Sequence, residues 1–277
     1  MKKVPKILLS GLEFPEGPRW RNGKLFFSDA VGRKVIAADE TGKSEIIVEM
    51  QDFPSGLGFL NDGRMLIVSM QNRCLMRLDP DGLKIHADLS KLTEFNCNDS
   101  VTDANERTYI GNWGSKTPEA PSDPTCIIMV TKDKRVRIVA ENLHFPNGCL
   151  VTPDGKTFIV GETQGGCLTA FDIDSSGNLT NRRIWAEIEG SSPDGICLDE
   201  EGAIWMANPS KAEVLRVLEG GEITSTIKVE NTNVYACCLG GNDGRTLFLC
   251  TNQFFLGKRS SGRIEFVEVE VPGIEIP

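Results

Sequence analysis

Three short phrases share a pattern: FPEG at 14–17, FPNG at 145–148 and SPDG at 192–195. Each sets an oxygen-bearing side chain, Glu16, Asn147 or Asp194, between a proline and a glycine. Asn98, in NCNDS, holds the equivalent place in a phrase without the proline. Two carboxylates and two carboxamides converging on one point would suit a divalent cation, because hard cations take oxygen ligands and water fills the remaining positions. Two carboxylates alone would repel unless a cation or a proton neutralised one of them. The competing reading is local: Asn and Asp beside Gly are turn formers that satisfy their own backbone.

Whether the four meet depends on the elements that carry them. Turn signals leading into β-rich runs recur roughly every 45 residues: RNGKLFFSD, NDGRMLIVS, ANERTYIGN, PDGKTFIVG, EEGAIWMAN and NDGRTLFLC. Each reads as a two-residue Asn-Gly or Asp-Gly hairpin turn, with Glu106 standing where the other copies have Gly. Two further strands follow in each copy, as in GCLTAFDID and RRIWAEIEG, and helical periodicity is absent. The expectation is an all-β, six-bladed β-propeller of four-stranded antiparallel blades, a single domain over residues 1–277. The last copy lacks its fourth strand, so residues 6–12 are expected to supply it and close the ring.

In such a blade the loop before the innermost strand opens on the mouth of the central channel. Counting back from each turn gives six equivalent slots: Glu16, Ser55, Asn98, Asn147, Asp194 and Tyr235. Four are oxygen ligands and none is Lys or Arg, which favours a cation in the channel over turn formation alone. Ca2+ is expected first, with Mg2+, Mn2+ or Zn2+ as alternatives. The loops that follow the second strand share this face. Among them NWGSKTPEAPSDPT, residues 112–125, is expected to form a lid or a pocket wall. Asn112, Trp113 and Tyr235 are candidate substrate-binding residues, with Glu162 and Asn208 as further candidates for lining the pocket. Phe254 and Phe255 are candidates to flank it.

Composition sets limits. A net charge of −9 argues against nucleic acid as a partner, since phosphate binding needs a basic surface. No apolar run is long enough to span a membrane. The nine cysteines include no CxxC pair and lie mostly in apolar runs, which suggests buried free thiols and a reducing, cytoplasmic setting. Only two histidines are present, leaving little room for a His-rich zinc site or a Ser-His-Asp triad. A small-molecule substrate and a monomer or weak homo-oligomer are expected.

FPEGPRW with Glu16, NCNDSVTDANERTYIGN with Asn98, FPNGCLVTPDGKTFIV with Asn147 and SPDGICLDEEGAIWMAN with Asp194 resemble the senescence marker protein, gluconolactonase and luciferin-regenerating enzyme family. They are also similar to diisopropyl-fluorophosphatase and the Drp-type staphylococcal lactonase. The resemblance runs from about residue 8 to 270. It implies one divalent cation bound through Glu16, Asn147 and Asp194, with Asn98 as fourth ligand or close neighbour. It implies hydrolysis of lactones, usually of sugar acids, or of related ester or phosphoester bonds. Asp194 is then the expected general base, or the nucleophile in a fluorophosphatase-like variant. One departure stands out: sugar-lactonase members carry a substrate-binding arginine two residues before the Asn98 equivalent, where this chain has Asn96. The family's substrate-binding glutamate has Glu119 as its nearest candidate. A non-catalytic binding propeller, a phosphoester hydrolase and a lyase-type reaction are the competing functions.

Overall fold

The structure, a computed structural model, describes residues 4–253 and 260–274. Strand β1 (Lys6–Leu12) precedes blade one, which is β2 (Pro15–Arg21), β3 (Lys24–Asp29), β4 (Lys34–Ala38) and β5 (Ser44–Glu49). Blade two is β6 (Pro54–Phe59), β7 (Met65–Ser69), β8 (Cys74–Asp79) and β9 (Gly82–Asp88). Blade three is β10 (Cys97–Thr102), β11 (Thr108–Asn112), β12 (Thr125–Val130) and β13 (Val136–Leu143). Blade four is β14 (Pro146–Val151), β15 (Thr157–Glu162), β16 (Cys167–Ile173) and β17 (Leu179–Glu187). Blade five is β18 (Ile196–Leu198), β19 (Ile204–Asn208), β20 (Glu213–Val217) and β21 (Ile223–Lys228). β22 (Asn233–Gly240), β23 (Thr246–Asn252) and β24 (Gly262–Glu268) form blade six.

Each of the six sheets has four antiparallel strands, and the last runs β22-β23-β24-β1. The missing outer strand therefore comes from residues 6–12, as the sequence indicates. Innermost strands touch in cyclic order: β2, β6, β10, β14, β18, β22 and back to β2. The chain forms a six-bladed β-propeller.

The apolar core lies between neighbouring blades. Leu150, Ile159 and Leu168 of blade four face Ile204, Met206 and Leu215 of blade five, all 3% exposed or less. Burying one such side chain contributes roughly 1.5–3 kcal/mol. Both faces of a blade are covered in this way, so these strands read as apolar runs without polar alternation. The cysteines are all buried and reduced. Among the described residues no helix is long and apolar enough to cross a membrane.

The first turns of the blades differ from the expectation of two-residue loops. Only Asn22-Gly23 fits, with both φ positive at 50° and 74°. In blades two, three and five the loop holds three residues and ends on a left-handed residue, Gly63, Glu106 or Gly202. The extra residue makes a tight turn followed by a bulge, a hairpin that needs only one positive φ. Glu106 takes that conformation at φ 58°. Its carboxylate accepts the Asn61 N–H at 2.9 Å and pairs with Lys132 at 2.9 Å.

Candidate functional site at the channel mouth

All six slots line one cavity of about 530 Å3 at the end of the channel where the loops into the innermost strands open. A repeated irregularity aims them. In five blades the innermost strand carries one residue more than its partner at or beside the slot: between Glu16 and Arg19, Pro54 and Leu57, Cys97 and Ser100, Pro146 and Cys149, and Val234 and Ala236. Such a bulge bends the strand and re-aims a side chain. The glycine after the slot has its own reason. A Cβ on Gly148 would stand 2.4 Å from the Asp194 carbonyl oxygen, and one on Gly195 would stand 2.6 Å from Cα of Ala236. Neighbouring blades approach too closely there for a side chain.

The second strand of a blade anchors the loop that carries the slot. The Asp29 carboxylate accepts the N–H groups of Glu13 and Phe14, at 3.0 and 2.7 Å. Glu162 accepts the His144 N–H at 2.7 Å, and Asn208 Oδ1 accepts the Ser192 N–H at 3.0 Å. The next residue along donates its own N–H back: Ala30 to the Phe14 carbonyl, Met70 to Phe53, Trp113 to Asn96 and Thr163 to Phe145, at 2.8–3.0 Å. The residue two before the slot thus sits beside the residue that follows the second strand, and both reach the cavity wall.

Electrostatics at the floor are unusual. Burial pushes the Glu16 carboxyl up to about 8, aided by the Asp99 charge and opposed by the Gly17 N–H and Arg19. Asp194 is raised well above the ordinary carboxylate range by burial, then by Glu16 and Asp99, with the Gly195 N–H and the Asn147 carboxamide opposing. Asp99 follows Asn98 directly, where the other innermost strands have Gly17, Gly56, Gly148, Gly195 and Ala236. Its carboxylate pairs with Arg19 at 3.1 Å. Arg19 also donates to the Ser100 and Pro18 carbonyls and lines a second cavity of about 430 Å3 at the opposite end of the channel. The pair therefore lies between two chambers. Asn98 Nδ2 and Asp194 Oδ1 are buried without a hydrogen-bond partner. Among the described residues no three His, Cys, Asp or Glu side chains cluster as a metal cage. The slot ring instead combines two carboxylates with two carboxamides, a set that can share a proton or enclose a hard cation.

Of the substrate-binding candidates, Asn96, Trp113 and Tyr235 line the cavity. Asn112 does not. It is fully buried, donates to the Cys126 carbonyl at 3.0 Å and accepts the Thr125 hydroxyl at 2.5 Å. It closes the second strand, one residue short of the position that reaches the cavity. Glu162 and Asn208 hold the same place in their blades and brace loops likewise. Glu119 does line the cavity, with Pro118, so the 112–125 loop is a wall. Gln164 ties it to blade four, accepting the Ser122 N–H and donating to the Ala120 carbonyl, each at 2.8 Å. Phe254 and Phe255 lie outside the described residues. Phe14, Phe53, Phe145 and Met70 also line the cavity and were not anticipated. The signal was available: the Phe of each FPxG phrase sits two before the slot, in register with Asn96.

A family model described as the SMP-30/Gluconolactonase/LRE-like region matches residues 14–253. Regucalcin of Oryctolagus cuniculus is 24% identical over 256 residues, covering 89% of this chain and 86% of the relative. Among solved structures, a luciferin-regenerating enzyme superposes with a TM-score of 0.87 at 19% identity, covering 99% of this chain and 98% of its own. A calcium-binding protein, regucalcin, from Agrobacterium tumefaciens superposes at 0.83 with 20% identity, covering 100% and 97%.

Proposed function

We propose, because this chain belongs to the SMP-30/gluconolactonase/LRE-like family, that the chamber holding Glu16 and Asp194 hydrolyses small cyclic esters with one bound divalent cation. The observation carrying this reading is the floor of two carboxylates and two carboxamides, with the buried Asp194 Oδ1 and Asn98 Nδ2 left without partners. A half-turn of the Asn98 carboxamide would place its oxygen where the orphaned nitrogen stands. Glu16, Asn98, Asn147 and Asp194 would then offer only oxygen, which fits Ca2+ first and Mg2+, Mn2+ or Zn2+ as alternatives. The calcium-binding relative supports the same choice.

When bound, such a cation supplies Lewis-acid polarisation of the ester carbonyl. The rest belongs to the chain. Asp194, facing the chamber, acts as general base and takes a proton from the attacking water as the water oxygen bonds to the acyl carbon. The ring C–O bond then breaks and the ring oxygen takes up a proton. Glu16 supplies fixed negative charge. The Asn147 amide is oriented by its hydrogen bond to Thr163 at 3.1 Å.

The test is a panel of lactones and phosphoesters on chelated protein, with Ca2+, Mg2+, Mn2+ and Zn2+ restored singly. Lactone turnover should vanish on chelation and return with Ca2+. Turnover indifferent to chelation would remove the metal from the mechanism. Hydrolysis confined to phosphoesters would move the chemistry to that bond.

A further inference from the structure

The walls above the floor specify the ligand further. Phe14, Phe53 and Phe145 occupy the same position in blades one, two and four, and all three line the cavity. Met70, Trp113 and Tyr235 complete the enclosure, with Tyr235 4% exposed and Met70 8%. The rings lie against one another: Phe14 and Tyr235 are 4.8 Å apart between centroids, Trp113 and Phe145 6.2 Å.

Charge is one-signed. Glu16, Glu119 and Asp194 line the cavity, and among the described residues no Lys, Arg or His does. Arg19 lines the other chamber and is held by Asp99. Several wall hydroxyls are already committed. Thr163 donates to the Pro193 carbonyl at 2.7 Å, and Ser210 donates to Asn208 Oδ1 at 2.9 Å. The polar wall groups left for a ligand are chiefly Gln71, Asn96, Glu119 and Asn233, set among these rings, so a polyhydroxylated ligand would press part of its hydroxyls against apolar surface, which disfavours it. A carboxylated or phosphorylated ligand would meet Glu119 on the wall with no basic side chain to offset it. The volume lies within the roughly 300–1,000 Å3 usual for small-molecule sites.

Building on the hydrolase reading above, we propose that the substrate is an uncharged lactone bearing an aromatic or alkyl group. The apolar group would lie among the three phenylalanines and Trp113, with the ester at the floor. Hydrolysis adds one water across the acyl C–O bond and gives a hydroxy acid, which releases its proton to solvent. The product carboxylate is then held by no Lys, Arg or His of the chain and lies near Glu119, which favours release.

The experiment compares kcat/KM of the calcium-loaded full chain on a benzo-fused lactone and an alkyl-substituted lactone with that on glucono-lactone. The apolar substrates should be favoured by about a hundredfold or more, because unpaired polar groups discriminate more strongly than single methylenes. Trp113→Ala and Phe53→Leu should each shrink that ratio by about tenfold. Glucono-lactone turned over as well as the apolar pair, or ratios unmoved in both variants, would overturn the proposal. Binding is read separately with non-hydrolysable lactams, followed by tryptophan fluorescence. The benzo-fused lactam should bind at least about tenfold tighter than gluconolactam. That preference without turnover of any lactone would sustain the ligand class and remove the hydrolase reading. Equal lactam affinities would remove the ligand class even if turnover is present.

Discussion

Burial raises the pKa of both Asp194 and Glu16, and the Glu16 charge adds to the rise at Asp194, so the metal-free floor holds charge reluctantly. Asp194→Asn keeps the shape and removes both the base and the repulsion. It should lower kcat by about 10²–10⁴-fold, the usual contribution of a positioned base. The chelated variant should melt no lower than chelated wild type, because a disfavoured buried charge is gone. Turnover within a few-fold of wild type would remove Asp194 from the chemistry; a large drop in melting temperature would show it to be a structural residue. That Glu16, Asn98, Asn147 and Asp194 share one cavity was legible because the repeat assigns each blade one slot. Asp99 and Arg19 were not. They lie 80 residues apart, and their pairing across the channel appears only once the ring is closed.

Strand periodicity explains why Asn112 was misplaced. The last residue of a second strand turns toward its own blade and the following residue faces the channel, a one-position shift that reverses a side chain's environment. Sequence spacing located the loop but not the phase. Asn112→Ala would leave the Cys126 carbonyl and the Thr125 hydroxyl without their buried partner, costing about 1–3 kcal/mol in urea unfolding. A variant that unfolds at the wild-type midpoint would contradict the bracing role. Strand β9 carries a pH-dependent element of another kind. His86 is 8% exposed, and burial, followed by Lys134, Arg77 and Arg64, holds its imidazole down at about 4. The unfolded chain binds a proton near pH 6.5. The folded chain does not until about 4. Stability from neutral His86 is therefore complete above pH 6.5 and is lost as pH falls toward 4. In His86→Gln the decline in melting temperature across that window should be shallower than in wild type. Parallel curves would mean that His86 is not responsible.

At the scale of the whole molecule, six repeats and a missing strand were enough to read the propeller, because repetition fixes architecture without any single contact being known. Closure is the step on which the site depends: slots from blades one and six become neighbours only when β2 packs beside β22. β1 secures that seam. Its residues pair with β24 from Lys6↔Phe266 to Leu12↔Gly262, and Leu12, 4% exposed, joins the cluster between blades six and one with Leu25, Phe27 and Phe248. Leu12→Ala should cost about 2–5 kcal/mol, the range for a buried leucine in a packed core. Deleting residues 1–12 goes further, leaving β24 with an unpaired edge that invites association with other chains. The truncated protein should lose its single cooperative thermal transition and elute as higher-order species on gel filtration. Its calcium affinity should fall together with that transition, since Glu16 and Asp194 lie on blades one and five and share a floor only within a closed ring. A truncated monomer that melts and binds calcium like the full chain would show that the seam holds without β1.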